Sequence, residues 1–179
     1  MKDFLIIANK NVITLKDVFP YVKNGIVKAG YTTPNNFLDG NGNITTTLNG
    51  LCRWFTTFGN IGWFTTMPVH KQKALKLTKT YKGNEDKYPK YDNYDAINVD
   101  RVKDIPMDYD GVMGVPLGYL DNQIEGYEVI WQASGNSWKN APGILKSIGF
   151  DETMKYGGGL GTAILNGKPK YTRIMIRKI

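Results

Sequence analysis

From Gly83 to Asp110 the chain has no sustained apolar period. The segment is rich in Tyr, Asp, Asn, Lys and Pro, and neither the 3.6-residue spacing of an amphipathic helix nor the two-residue alternation of a half-buried strand runs through it. Such a stretch folds as long ordered loops around one short strand, near Ala96 to Val99, and the rest of the molecule has to hold those loops in place. Connections of this length inside a compact domain usually carry function or are disordered. A chain of 179 residues, 41% hydrophobic and 12% aromatic, has the apolar content for one domain with its own core.

The formal net charge is +7, which favours acidic partners such as nucleic acid or an anionic membrane surface without choosing between them. Cys52 is the single cysteine, so no internal disulfide is possible, and sparse thiol use of this kind suits a cytoplasmic protein. The apolar run in MKDFLIIANKN is too short for a signal-peptide core. No later segment approaches the roughly 18 to 20 apolar residues that span a bilayer, so no membrane partner is expected.

Along the chain, Phe4 to Ala8 form a continuous apolar run between Lys2-Asp3 and Asn9-Lys10-Asn11, the pattern of an interior strand in a parallel sheet. A helix follows, with Thr14 as its cap, Leu15, Val18, Phe19 and Val22 at helical spacing, a bend at Pro20 and a stop at Asn24-Gly25. Strand and helix together make half of a βαβ unit. Another strand is expected within Gly25 to Tyr31, then a polar loop to about Asn43. RWFTTF at 53 to 58 and GWFTTM at 62 to 67 carry β-forming residues and invite a hairpin. Residues 70 to 82 hold six basic residues, with Leu75 and Leu77 alternating as in a half-exposed strand. Tyr127 to Ala133 reads as a strand and Ser137 to Ile148 as loop and short helix. A closing hairpin is expected from Thr162 to Leu165 and Tyr171 to Ile176 about Asn166-Gly167.

The order of residues from Tyr88 to Leu120, YPKYDNYDAINVDRVKDIPMDYDGVMGVPLGYL, is too particular for composition alone. It resembles the EcoRI-type adenine-specific DNA methyltransferases. FLIIANKNVITLKDVFPYVKNGIVKAGYT at 4 to 32, GNIGWFTTM at 59 to 67 and LNGKPKYTRIMIRKI near the end agree in the same order. The Asp/Asn-Pro-Pro-aromatic tetrapeptide and the glycine-bearing cofactor loop of such enzymes do not occur here; TPNNF at 33 to 37 lacks the second proline and the right order. The resemblance therefore implies an α/β fold: the C-terminal part of a class I, Rossmann-like methyltransferase sheet plus a β-rich target-recognition region. It would be a single domain, with about 1 to 68 ending the catalytic sheet and about 69 to 179 giving recognition loops and closing strands. It implies S-adenosyl-L-methionine as cofactor, its binding loop outside this chain, and double-stranded DNA and a separate N-terminal half as partners. A truncated gene product, a fragment and half of a split enzyme all remain open, as does a non-catalytic DNA-binding module.

Several residues are candidates for DNA contact. Trp54 and Phe55, with Trp63 and Phe64, can stack on exposed bases, although adjacent strand residues point to opposite faces and one of each pair is expected in the core. Arg53, Lys71, Lys73 and Lys76 suit phosphate contact, or an ordinary solvated face. Tyr91, Asn93 and Tyr94, with Asp92 and Asp95, carry groups suited to base edges and equally to tying down loop backbone. No residue here is assigned to catalysis. A calcium loop at Asp108 and Asp110 fails because Pro106 takes the first ligand position, and one Cys with one His, Cys52 and His70, is too few soft ligands for zinc. GGGLG at 157 to 161 lacks the Lys-Ser/Thr of a phosphate loop.

Overall fold

A computed structural model describes residues 2–30, 37–38, 41–42, 44–45, 61–69, 75–121, 123–135, 137–154 and 160–179. The chain divides into two compact units, Met1–Gln72 and Lys73–Ile179.

In the N-terminal unit, strand β1 (Leu5–Asn9) leads into a 3-10 turn, Lys10–Thr14, and the short helix α1 (Phe19–Lys23). Thr14 does not cap α1, because its hydroxyl donates to the carbonyl of Asn11 at 2.8 Å and closes the 3-10 turn instead. Helix α1 starts late, with Pro20 in its first turn, where a missing N–H costs nothing. The proline therefore starts the helix and does not bend it. Gly25, at φ +67°, ends it as expected.

Strand β2 (Lys28–Ala29) follows, then the strand pair β3 (Phe37–Leu38) and β4 (Ile44–Thr45), and then β5 (Ile61–Thr65). Strand β5 is the centre of a three-stranded antiparallel sheet of order β1-β5-β2, with Ile6 opposite Phe64 and Ala29 also opposite Phe64. One expectation lies beyond the described residues and one needs correction. Strand β5 pairs with β1 and β2, while the expected hairpin partner at 53 to 58 lies outside the described residues. Strand β1 is an antiparallel edge strand, not an interior parallel one, and Leu5, Ile6 and Ile7 are 54%, 48% and 46% exposed. A continuous apolar run records the chemistry of its side chains. It does not record how many strands lie beside it.

The C-terminal unit is built on a four-stranded sheet of order β6-β7-β11-β8. Its strands are β6 (Ala96–Asn98), β7 (Val112–Pro116), β8 (Tyr127–Ala133) and β11 (Arg173–Lys178). Strands β6 and β7 run parallel, and β11 lies antiparallel between β7 and β8. Strand β11 is interior in this sheet, and Ile174, Met175 and Ile176 are successive and completely buried, so both of its faces are covered. Strand β8 and the short strand near residue 96 match the sequence reading. Helices α2 (Ser137–Asn140) and α3 (Pro142–Ser147) follow β8, and Leu145 of α3 enters the core.

The last turn differs in its partners. Asn166 at φ 51° and Gly167 at φ 70° close a tight hairpin between β9 (Ile164–Leu165) and β10 (Lys168–Pro169), the left-handed pair that a two-residue turn demands. Residues beyond Tyr171 pass on to β7 and β8 and are not part of that hairpin. Residues 75 to 82 form no strand; a single bridge joins Lys79 to Pro106.

Candidate nucleic-acid interface

The long loop region from Gly83 to Asp110 is held by its own polar side chains. Asn93 is 1% exposed; its amide donates to the carbonyl of Thr162 at 2.8 Å and its carbonyl accepts from the N–H of Ile164 at 2.8 Å. The hydroxyl of Tyr94 donates to the carbonyl of Gly161 at 2.7 Å, and its ring packs on Phe150. The hydroxyl of Tyr91 donates to Oδ1 of Asn98 at 2.8 Å, and its ring lies so close to Gly114 that a Cβ there would come within 2.6 Å of ring carbon Cε2. Burial raises the hydroxyl pKa of both tyrosines. Asp92 accepts from the N–H of Gly167 at 2.7 Å and so caps the hairpin turn. Tyr91, Asn93 and Tyr94, candidates for base contact on sequence, thus lie in the interior with their polar groups engaged. They are scaffold for a surface formed by their neighbours.

That surface is a polar cleft of about 490 Å³ in the same unit, lined by Thr78, Lys79, Thr80, Asn84, Lys87, Tyr88, Asp100, Arg101 and Asp104. The bridge between Lys79 and Pro106 lays one loop alongside the other, and Tyr88, which lines the cleft, ties its walls by donating its hydroxyl to the carbonyl of Asp104 at 2.9 Å. Both carboxylates are compensated. Asp104 pairs with Arg101 at 3.7 Å, and Oδ1 of Asp100 receives Nδ2 of Asn98 at 3.0 Å, Nη2 of Arg173 at 3.2 Å and Nζ of Lys170 at 3.4 Å. The Asn98 amide, then Lys170 and Arg173, hold the Asp100 carboxyl below the usual carboxylate range against the opposing effect of partial burial. Lys87 donates to the neutral Oδ1 of Asn84 at 2.6 Å, and among the described residues no carboxylate pairs with Lys79 or Lys87. The cleft therefore presents uncompensated positive charge, which suits a phosphate-bearing ligand.

Of the other candidates, Lys76 is exposed, Trp63 is half-buried and Phe64 is buried at 2%. Phe64 belongs to the core, as one of each aromatic pair was expected to. Arg53, Trp54, Lys71 and Lys73 lie outside the described residues, as do Cys52, His70 and most of the GGGLG run. Asn84, Lys87, Asp100 and Arg101 were not singled out by sequence reasoning, because their charges alternate in sign and form no run; only the fold gathers them.

The N-terminal unit has a separate groove of about 260 Å³, with Phe4, Ile6, Val12, Val18, Val27 and Phe64 as apolar walls, Tyr21 beside them, and Asp17 as its one carboxylate. A methionine zwitterion with a ribose needs several polar partners, and this groove supplies too few for S-adenosylmethionine. Among the described residues no three of His, Cys, Asp and Glu come together to hold a metal, and no helix is long and apolar enough to cross a membrane.

A mixed α/β chain whose loops are cross-braced by buried Tyr and Asn, beside a basic cleft, fits what the sequence order suggested, and comparison with known proteins settles the class. The family model described as adenine-specific methyltransferase EcoRI matches residues 1–179, and the chain belongs to that family. Among individual relatives, it is 37% identical to the type II methyltransferase M.EcoRI of Escherichia coli, over 98% of this chain and 50% of that protein. It is 31% identical to the type II methyltransferase M.MgeORF184P of Mycoplasma genitalium, over 99% of this chain and 57% of the relative. A 68-residue stretch is 52% identical to M.MpnI of Mycoplasma pneumoniae, over 37% of this chain and 21% of that protein. The chain thus spans about half the length of the first two relatives. No solved structure matches it.

Proposed function

We propose that this chain acts as the C-terminal part of an adenine-N6 DNA methyltransferase of a restriction-modification type, contributing DNA recognition and the closing strands of a Rossmann-like catalytic fold. The observation that carries this reading is the family match along the whole chain. The two units support it in different ways. The N-terminal unit has an apolar edge strand, β1, and an apolar groove, surfaces of the kind that further strands cover. The C-terminal unit has a basic cleft in ordered loops, a surface of the kind that captures a polyanion.

Methylation of adenine within a duplex requires the base to leave the stack and meet a polar clamp. S-adenosylmethionine supplies the electrophilic methyl group, and in this reading both it and the clamp are held by residues outside this chain. What these residues do is capture: Lys79, Lys87 and exposed Lys76 meet phosphates, and the braced loops set the orientation of the duplex.

The test is a chimera in which this chain replaces the matching region of the E. coli relative. Incubated with duplex DNA and methyl-labelled S-adenosylmethionine, it is expected to label adenine at N6, whereas the chain alone binds duplex in a salt-sensitive way and labels nothing. A chimera that folds and binds the cofactor yet leaves duplex adenine unlabelled overturns the reading.

A further inference from the structure

We propose that Asp100 determines base specificity: its carboxylate accepts a hydrogen bond from an exocyclic base amino group, cytosine N4 or adenine N6, while Lys79 and Lys87 hold the flanking phosphates. The proposal rests on the DNA-binding reading above and adds to it the residue that reads sequence.

An exposed carboxylate is a liability in a surface that receives a polyanion, because each phosphate nearby repels it. Asp100 is nevertheless presented at the wall of the cationic cleft with its side chain 66% exposed. It is also pre-oriented. Three donors, from Asn98, Arg173 and Lys170, converge on Oδ1, and among the described residues none reaches Oδ2. The Arg173 side chain is itself only 11% exposed, so this partner of Asp100 is held within the fold. An ionised carboxylate is acceptor-only, so the open Oδ2 asks for a donor. Phosphates have none to offer at neutral pH. Base edges do, and the amino groups of cytosine and adenine are the donors displayed in the major groove. Lys79 and Lys87, which line the same cleft, supply the attraction that outweighs the repulsion. In this division of labour, cations give affinity and one fixed carboxylate gives sequence.

The experiment selects bound sequences from a duplex library with a randomised ten-base-pair core, using the full 179-residue chain, Asp100→Asn, and the Lys79→Ala and Lys87→Ala variants, at several salt concentrations. The wild type is expected to enrich a motif. Asp100→Asn is expected to lose roughly tenfold or more of the preference at one or two base pairs bearing the read amino group, while its affinity for unrelated duplex holds or rises. Each lysine variant is expected to weaken all duplexes alike and to lower the salt slope by about 1. Should Asp100→Asn lose its melting transition, Asp100→Glu keeps the charge and moves the carboxylate by one methylene, and the same base pairs are expected to lose discrimination. The inference is overturned if the Asp100 variants enrich the wild-type motif at unchanged ratios, if they lose affinity for all sequences equally, or if the wild type binds duplex without enriching any motif. Absence of any salt-dependent duplex binding by the wild type is a different result, and it overturns the underlying reading as well.

Discussion

Asn93 does the work of a backbone segment with one side chain: it gives a donor to Thr162 and an acceptor to Ile164, and so joins the loop before β6 to the strand that begins the closing hairpin. Asn93→Ala leaves both groups without that partner, and the C-terminal unit is expected to lose about 2–4 kcal/mol, read as a lower denaturation midpoint. Asn93→Asp is expected to recover part of this loss, since a carboxylate still accepts from Ile164 but faces the Thr162 carbonyl with no proton to offer. Equal stability of wild type and Asn93→Ala would show that the two bonds contribute nothing net. At this scale the sequence made the residue types legible but not their duties. Tyr, Asp and Asn in a loop can read base edges or tie down backbone, and what decides is a partner 67 to 75 residues away, which no local window contains. The cleft was hidden for the same reason, its walls being joined through the Lys79 to Pro106 bridge.

Among the elements, legibility followed locality. Strand β8 came out of its own composition, and so did the turn at Asn166-Gly167, because a left-handed residue pair is a local demand. Strand pairing was not local and was misassigned twice, for β1 and for the residues after Tyr171. The apolar run of β1 reads as interior although it lies at an edge, whereas β11, interspersed with Arg and Lys, reads as half of a hairpin although it is paired on both sides. The exposed edge of β1 makes a further prediction. Leu5→Lys places a charge on an open strand, the device by which natural sheets discourage edge pairing. The substitution is expected to lower concentration-dependent association measured by light scattering while shifting stability by no more than about 0.5 kcal/mol. Association that is unchanged by the lysine would place the sticky surface elsewhere.

For the molecule as a whole, titration sets the range over which the fold holds. Asp100 has a folded pKa below its ordinary value of 3.8, so it contributes stability that is present above that value and lost as pH falls through the folded one. Tyr91, Tyr94 and Tyr119 shift the other way; burial raises all three above 10.0, with Tyr119 pushed up to about 12. Their contribution is present below pH 10.0 and lost as pH rises through the folded values. A denaturation midpoint that is flat between about pH 5 and 9 and falls on both sides is therefore expected, and Asp100→Asn is expected to reduce the acid-side fall. A midpoint indifferent to alkali would contradict the tyrosine burial. The placing of β11 has a consequence in time. The β6-β7 pair and β8 are made first yet join one another only through a strand that leaves the ribosome after all three, so the unit waits as an open cradle until its keystone is synthesised. A message ending before the codon for Arg173 would leave more than a shortened sheet. It would leave two halves with nothing between them, exposed to proteases from the moment of release.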